Sequence, residues 1–287
     1  MKNIPLRHIK ATQNESTFSE RFSVRDIRDL LAGKDLIQEL HRHDFFFILA
    51  LRKGMGNHEI DFTSYNVCDH SLFFLRPGQV HKLKLEAGST GYLMQFNKEF
   101  YYSNDQASRQ LLRKVSSKNL CQLDAKRIKK LLVILKYIFQ EYVDKQEGYR
   151  EVIKANLGIF FIELVRHRQN EASTSGGGTL YPQERTEELV ELLETHISTH
   201  KQVSHYADML HLSIYQLNAI TKATLGKTCS ELIDEFILLE SKRFLLATSN
   251  QVTQIAYHLG YDDVSYFIRF FKKHTGHSPE AFRHNLR

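Results

Sequence analysis

The C-terminal part of this chain contains one repeated stretch, Val252-Thr-Gln-Ile-Ala-Tyr-His-Leu259. Forty-nine residues earlier stands Val203-Ser-His-Tyr-Ala-Asp-Met-Leu210, with Val, Ala and Leu at the same positions. Downstream, Gly226 is matched by Gly276 at an offset of fifty. Each unit has the pattern of a short helix, a turn and a longer helix, and the small central Ala lets two helices cross closely. The repeat predicts two helix-turn-helix units.

The segments around these units have helical patterns as well. A helix predicted from Glu231 to Ala247 joins the two units. Gly260 can end one helix, and Asp263 is placed to cap the next. Ser278 and Pro279 are suited to begin a final helix, as cap and first helical residue. We therefore predict that this part of the chain is entirely helical.

A Ser- and Gly-rich stretch, Glu171-Ala-Ser-Thr-Ser-Gly-Gly-Gly-Thr-Leu-Tyr181, separates the helical part from the rest. Pro182, one of only four prolines, follows it. This composition is typical of a flexible linker. We therefore predict two domains, residues 1–170 and 182–287, joined by a linker at residues 171–181.

Short strand-like segments fill the first domain. Phe45 to Leu51 is an aromatic and β-branched run, Asn57 to Phe62 alternates, and similar segments continue to Phe96. This spacing predicts a small β-barrel or sandwich. Two amphipathic helical patterns follow, at residues 128–142 and 153–164. These helices either cover the sheet alone or also pair two subunits.

Composition excludes several classes of protein. The chain has 287 residues, 42% of them hydrophobic and 25% charged, as in ordinary globular proteins. Its longest apolar run is too short to cross a bilayer, and from its polar start we expect no signal peptide. Three separated cysteines without a CxxC pair argue against a disulfide framework, against a structural zinc site and for a reduced cytosol.

The net charge of +6 does not locate a nucleic-acid surface. Residues 1–181 hold 28 Lys and Arg against 20 Asp and Glu, a net of +8. Residues 182–287 hold 11 against 13, a net of −2. Any DNA-binding surface must therefore be argued from the positions of individual charges on helices.

One pattern in the second unit reads Ala256-x-x-Leu-Gly-Tyr261-x-Asp263-x-Ser265-Tyr-Phe267-x-Arg269-x-Phe271-Lys272, followed by Gly276-x-Ser-Pro279-x-x-Phe-Arg283. It resembles the C-terminal signature of AraC/XylS-type transcription regulators. The repeat, the linker and the strand-rich first domain extend the resemblance to nearly the whole chain. The implied fold is an α+β multidomain one: an N-terminal cupin-like β-barrel with two flanking helices, and an all-α domain of two helix-turn-helix units joined by a helix.

The resemblance implies that the second helix of each unit enters a major groove. The implied base contacts are Val264, Ser265, Tyr266 and Arg269 in the second unit and Tyr215, Gln216 and Asn218 in the first, and the implied phosphate contacts are Lys222, Lys272 and Lys273. The Arg269 guanidinium is suited to guanine or phosphate because it can donate two parallel hydrogen bonds. The alternative is that Arg269 only pairs with Asp262 or Asp263.

The first unit departs from the family pattern at two positions. Ala219 and Thr221 stand where the family commonly has Arg and Phe. Losing the Phe weakens the core of this unit, and losing the Arg removes a strong base contact. We therefore expect the second unit to carry more of the DNA affinity.

The first domain resembles the cupin-like sensor domains of such regulators. His41-Arg-His43 and Pro77-Gly-Gln-Val-His81 are spaced like the two cupin motifs. Three histidines could bind Zn²⁺, Fe²⁺ or Mn²⁺. The carboxylate that metal-binding members supply is missing, because Asp44 is followed by three phenylalanines. We therefore expect no stoichiometric metal and no cofactor.

A small effector inside the barrel is the preferred interpretation of this domain. The candidate lining residues are His41, His43, Phe45, Phe47, Phe74, Arg76, His81 and Tyr92. Core packing explains the aromatic residues among them equally well.

These observations predict a cytoplasmic, homodimeric, sequence-specific DNA-binding regulator that is not an enzyme and has no membrane partner. The resemblance favours an activator that contacts RNA polymerase. One alternative is a metal-dependent cupin oxygenase or isomerase with an accessory helical domain. Another is a regulator that dimerises but has lost specific DNA binding, which Ala219, Thr221 and the charge of −2 suggest.

Overall fold

The computed structural model of the protein describes residues 5–9, 21–101, 106–174 and 180–285. The chain divides into two compact units at Glu171 and Ala172. None of the helices in the described part is both long and apolar enough to span a membrane.

The N-terminal unit contains ten described strands. They are Leu6–Arg7 (β1), Phe22–Asp26 (β2), Leu36–His43 (β3), Phe46–Lys53 (β4), Gly56–Ile60 (β5), Thr63–Val67 (β6), Ser71–Leu75 (β7), Val80–Leu85 (β8), Thr90–Phe96 (β9) and Leu120–Gln122 (β10). One five-stranded sheet has the order β1-β3-β8-β5-β6, and the other has the order β10-β7-β4-β9-β2. We call them the first and the second sheet.

Alternation along β4 divides the apolar side chains of this unit between two cores. Phe47, Leu49 and Leu51 belong to one buried cluster, together with Leu83 of the first sheet. Side chains at the intervening positions, such as Ile48, belong to a second cluster with residues of the helices. Successive side chains of a strand point to opposite faces, so the second sheet is buried on both.

Five helices complete the N-terminal unit in the described residues. They are Ile27–Leu31 (α1), Lys98–Tyr101 (α2), Gln106–Ser116 (α3), Ala125–Asp144 (α4) and Tyr149–Thr174 (α5). The apolar stripes of α4 and α5 pack in the second cluster, through Leu135 and Phe161 among others. The two predicted helices therefore flank the strands as expected.

The predicted fold class is confirmed, with one difference in detail. In the described residues the strands form two separate five-stranded sheets and not a closed barrel. The hydrogen-bonded order of each sheet ends in an edge strand on both sides, at β1 and β6 in one and at β10 and β2 in the other.

The C-terminal unit is helical, as predicted. Its described helices are Leu180–His196 (α6), Val203–Met209 (α7), Ile214–Leu225 (α8), Cys229–Ala247 (α9), Val252–His258 (α10), Val264–Thr275 (α11) and Pro279–Asn285 (α12). Helices α7 and α8 form one helix-turn-helix unit, α10 and α11 form the other, and α9 joins them. Arg283 of α12 is buried and donates to the carbonyls of Leu245 and Asn250, which explains an Arg in the C-terminal motif.

Helices border the predicted linker on both sides. Helix α5 ends at Thr174 and α6 begins at Leu180, so both extend into residues 171–181. Residues 175–179 of the linker lie outside the described residues. The linker and the exact domain limits stay predictions.

Candidate DNA-binding surface

The second helices of the two units are matched in length and in both caps. Helices α8 and α11 each contain 12 residues and start fifty positions apart. Ser213 caps α8 and Asp263 caps α11, each through a side-chain oxygen that accepts a backbone N–H of the first turn. Gly226 and Gly276 end them in the left-handed conformation, with φ of 72° and 77°. The sequence repeat is therefore a repeat of structure.

The exposed face of α11 carries five of the ten residues predicted to contact DNA. Phe267 and Phe271 are buried in the domain core. The exposed side chains are Ser265, Tyr266, Arg269, Lys272 and Lys273. Val264 is different, because it is half-buried and packs against the core cluster. The structure therefore does not support a base contact from Val264.

Arg269 lies near one of the two carboxylates considered as its partner. Its Nη2 is 3.7 Å from Oδ2 of Asp263, and the side chains are 68% and 62% exposed. An ion pair at this exposure contributes little, because water and salt screen it. The guanidinium can therefore exchange this contact for a base or a phosphate at small cost.

The exposed face of α8 is less charged. Tyr215 is 83% exposed, and Gln216, Ala219 and Lys222 are also exposed. The Gln216 side-chain oxygen accepts the backbone N–H of Ser213 at 2.9 Å, so part of this amide is used in the cap. Ala219 occupies the position equivalent to Arg269.

Asn218 is directed into the protein and not to the exposed face. Its Oδ1 accepts the backbone N–H of Cys229, the first residue of α9, at 3.0 Å. The buried Thr221 hydroxyl donates to the Asn218 carbonyl at 3.2 Å, so the residue that replaces the family Phe is satisfied locally. The structure thus assigns Asn218 to the start of α9, and it does not support a base contact there.

The turn before α11 is held by residues that the sequence did not single out. Gly260 has a φ of +71°, and a Cβ built on it would lie 1.8 Å from the carbonyl oxygen of Ser198. The Lys201 Nζ donates to the Gly260 carbonyl at 2.6 Å and lies 4.8 Å from the ring centroid of Tyr261. No local sequence pattern links positions 198 and 201 to this turn.

Four buried histidines meet between the two sheets of the N-terminal unit. They are His41, His43, His58 and His81. The Nδ1–H groups of His41 and His43 donate to the carbonyls of Glu39 and Phe45, both at 2.8 Å. Because a carbonyl only accepts, the Nε2 atoms of these two rings carry lone pairs. His58 Nε2 and His81 Nδ1 share a hydrogen bond of 2.9 Å.

Burial keeps this histidine cluster neutral. It lowers the pKa of His41 and of His43 to about 4 and that of His58 to about 3. The pKa of His81 is also well below its ordinary value, because of burial and the neighbouring histidines. Three ring nitrogens, His43 Nε2, His58 Nδ1 and His81 Nε2, have no hydrogen-bond partner among the described residues. A polar ligand could satisfy them.

His58 is the member of this cluster that the sequence reasoning missed. It lies on β5, in the alternating segment from Asn57 to Phe62, where alternation could have indicated that His58 faces inwards. Phe45 stacks on His43 with ring centroids 4.3 Å apart, and the Phe47 and His81 centroids are 5.3 Å apart. Phe45 and Phe47 therefore lie beside the histidines, as expected.

Two of the predicted pocket residues lie on the other face of the second sheet. The Phe74 ring is 5.9 Å from Phe161 of α5, and the Tyr92 ring is 5.7 Å from Phe139 of α4. Phe74 and Tyr92 thus belong to the helix-covered core, and the structure does not bring them together with the histidines. Strand alternation is the physical reason. Arg76 is half-exposed, in the turn after β7.

In the described part of the chain, no three His, Cys, Asp or Glu side chains are grouped so that they could hold a metal ion. The C-terminal unit does bring His196, His200 and His205 near each other, with successive ring centroids 5.7 and 4.7 Å apart. The expectation of no stoichiometric metal stays a prediction.

Two family models match this chain. A helix-turn-helix domain model matches residues 206–285. A model described as an AraC-like ligand binding domain matches residues 35–135. The first range contains the second helix-turn-helix unit and all but the first three residues of the first unit, and the second range contains most of the two sheets with their histidine cluster.

Curated relatives cover most of the chain at low identity. The HTH-type transcriptional activator RhaS of Pectobacterium atrosepticum is 26% identical over 247 residues, 85% of this chain and 87% of the relative. The uncharacterized HTH-type transcriptional regulator YfiF of Bacillus subtilis is 22% identical over 256 residues, 85% of this chain and 78% of the relative.

Solved structures also resemble the chain. Wild-type ToxT of Vibrio cholerae, bound to an unsaturated fatty acid, has a TM-score of 0.40 at 17% identity, covering 95% of this chain and 97% of that one. A transcriptional regulator of Chromobacterium violaceum with an AraC-type DNA-binding domain has a TM-score of 0.34 at 25% identity, covering 37% of this chain and 94% of that one.

Proposed function

This chain belongs to the AraC/XylS-type transcription regulators, and on that premise we propose that it recognises a specific DNA sequence in response to a small-molecule effector. It is a DNA-binding transcription regulator. The finer statements, on the residues that read DNA, the effector, the dimer and the direction of regulation, are our proposals.

The observation that carries the DNA-reading proposal is the structural repeat of α8 and α11. Two equally long helices, each with a side-chain N-cap and a C-terminal Gly, present an exposed face with Lys at equivalent positions, Lys222 and Lys272. A second helix of this kind fits the major groove, and two in succession fit two half-sites about 10 base pairs apart. The proposed base-reading residues are Tyr215 and Gln216 in α8 and Ser265, Tyr266 and Arg269 in α11, and the proposed phosphate contacts are Lys222, Lys272 and Lys273.

The N-terminal unit supplies the proposed effector site. The residues proposed for this site are His41, His43, Phe45, Phe47 and His81, with His58 added, which pack together between the two sheets. Three unpartnered ring nitrogens beside aromatic rings suit a small molecule that has both polar and apolar groups. The effector would favour one arrangement of the protein over another and so change its DNA affinity.

Helices α4 and α5 are the proposed dimer contact. Val133 and Tyr137 on α4 are 61% and 54% exposed, and Ile159 and Ile162 on α5 are 50% and 41% exposed. Apolar side chains at such spacing exceed what the sheet can cover, which favours pairing with a second copy.

The direction of regulation is proposed from the relatives. Several are described as transcriptional activators, which favours activation through contact with RNA polymerase in the cytoplasm. The family consists of transcription regulators, which argues against the cupin-enzyme alternative, and no feature of the described residues favours it.

The test is selection of DNA from a randomised pool by the full-length protein, followed by affinity measurements at two salt concentrations. We expect the wild type to select a bipartite motif. Arg269→Ala should lose about 1–3 kcal/mol of binding free energy and relax one half-site, because a bidentate base contact is removed.

A matched control is Arg25→Ala, which removes an exposed Arg from β2 of the other unit. It should leave the motif unchanged. Failure of the wild type to enrich any motif would falsify the proposed sequence-specific function. Equal affinities and salt slopes for wild type and Arg269→Ala would show that Arg269 reads nothing.

A further inference from the structure

Equivalent positions on α8 and α11 carry side chains of different chemistry. The centre of the exposed face of a helix is formed by residues at i, i+4 and i+7. On α11 these are Ser265, Arg269 and Lys272, and on α8 they are Tyr215, Ala219 and Lys222. All six are exposed.

The α11 face has a charged donor at its centre. Arg269 is exposed and only weakly paired, as described above. The arginine fork matches O6 and N7 of guanine, which both accept in the major groove. This face is therefore suited to a half-site that contains a G·C pair.

The α8 face has an apolar centre. Ala219 offers a methyl group where α11 has Arg269, and Tyr215 offers an 83% exposed ring one turn before it. Neither can make a bidentate contact to guanine. The group in the major groove that an Ala methyl or an aromatic ring contacts favourably is the C5-methyl of thymine.

Neighbouring side chains do not restore the bidentate guanine contact on α8. The Asn218 and Gln216 oxygens accept the backbone N–H groups of Cys229 and Ser213, which ties both amides to the backbone, and neither amide has the charged fork of an arginine. Lys222 matches Lys272, the residue proposed to contact phosphate. Ala223 stands where α11 has Lys273, so α8 also has one charge fewer on the flank of its face.

We propose that the two helices read half-sites of different base composition, α8 by contact of Tyr215 and Ala219 with thymine methyl groups and α11 by contact of Arg269 with guanine. The DNA target is then asymmetric: one half-site is defined by A·T pairs and the other by a G·C pair. This inference rests on the proposed function and names the class of sequence that it recognises.

The experiment begins with the motif selected by wild-type protein. Arg269→Ala identifies the half-site read by α11, because preference is relaxed there. In the other half-site, each thymine is replaced by deoxyuridine, which removes only the C5-methyl. We expect about fourfold weaker binding for each contacted methyl, the equivalent of burying one such group. The same replacement beside the guanine of the α11 half-site should have no effect.

The converse experiment changes α8. Ala219→Arg places on α8 the side chain that α11 has at the equivalent position, Arg269. Both positions are exposed, so the longer side chain can be accommodated. A selection with this variant should place guanine in the α8 half-site, preferred by at least about fivefold over the wild-type base. The matched control Ala223→Lys, which recreates Lys273, should raise affinity on all sequences without a new base preference.

The outcomes separate the two proposals. A wild-type protein that selects no motif overturns both. A bipartite motif that is insensitive to deoxyuridine in the α8 half-site overturns the thymine contact and leaves the proposed function standing. If Ala219→Arg, like Ala223→Lys, raises affinity without a new preference for guanine, the different reading by the two helices is also overturned and the proposed function still stands.

Discussion

At the scale of single residues, the Asn218 side chain makes a hydrogen bond within the C-terminal unit, although its position on α8 predicts a contact with DNA. Asn218 lies on α8 among exposed residues, yet its side-chain oxygen satisfies the first N–H of α9. The first N–H groups of a helix have no partner within that helix, so a bond of this kind stabilises the junction of α8 and α9.

We expect Asn218→Ala to lower the free energy of unfolding by about 1 kcal/mol, because the Cys229 N–H loses its acceptor in a half-buried site. The base preference of the selected motif should not change. Urea denaturation followed by circular dichroism measures the first effect, and selection measures the second.

The matched variant is Lys222→Ala, one helical turn further along. Lys222 is exposed and is proposed to contact phosphate, so its loss should leave stability unchanged and weaken binding to all sequences alike. If Asn218→Ala instead altered the motif at unchanged stability, the assignment of Asn218 to the α9 start would be wrong.

At the scale of elements, three C-terminal glycines with the same backbone conformation have different surroundings. Gly226, Gly260 and Gly276 have φ between +71° and +77°. Around Gly226 and Gly276 there is nothing within 4 Å of an added Cβ. At Gly260 the added atom would meet the Ser198 carbonyl, and the Lys201 ammonium would be 2.7 Å away.

We therefore expect Gly260→Ala to destabilise the protein by about 3 kcal/mol or more. The backbone at Ser198 must move away from the new Cβ, and an alanine must adopt a left-handed conformation. Gly276→Ala, the matched control, should cost about 1 kcal/mol from the conformation alone. Urea midpoints of the two variants provide the comparison. Equal losses would mean that the Ser198 contact is not maintained in solution.

The helices could be predicted because their signals are local in the sequence. The contact between Ser198 and Gly260 could not. The stripes of α4, α5 and α11, and the capping residues Ser213 and Asp263, lie within a few positions of the groups they serve. Ser198 and Gly260 are far apart in the chain, and nothing in either segment indicates that the other packs against it.

At the scale of the whole molecule, buried neutral histidines make the N-terminal unit sensitive to acid. The folded-state pKa values of His41, His43 and His58 are lowered to about 3–4, while an unfolded histidine titrates near 6.5. Between these values the unfolded chain binds more protons than the folded one. Stability therefore falls as pH decreases from about 6.5 to about 4.

One buried cysteine in each unit allows the pH dependence of that unit's stability to be measured. Cys121 is in the helix-covered core of the N-terminal unit, and Cys229 is in the C-terminal core. At pH 5, compared with pH 7.5, the urea concentration at which Cys121 becomes reactive to a disulfide reagent active in acid should decrease. The concentration for Cys229 should change less, and the exposed Cys68 should react throughout.

A control variant tests the cause. His58→Leu removes a buried titrating ring, so the difference between pH 7.5 and pH 5 should shrink whatever its effect on stability at pH 7.5. An unchanged pH difference in this variant, or equal shifts for Cys121 and Cys229, would contradict the role of the histidine cluster.

The amino-acid sequence was enough to predict the two classes of structure, the helix-turn-helix repeat and the residues exposed on α11. These features follow from short-range periodicity and from capping residues a few positions away. It took the three-dimensional contacts to show that Phe74 and Tyr92 pack under the helices, that His58 joins the histidine cluster and that the Asn218 side chain binds the first N–H of α9. Each of these depends on which strand or helix lies opposite a side chain, and that is fixed by contacts between residues distant in the chain.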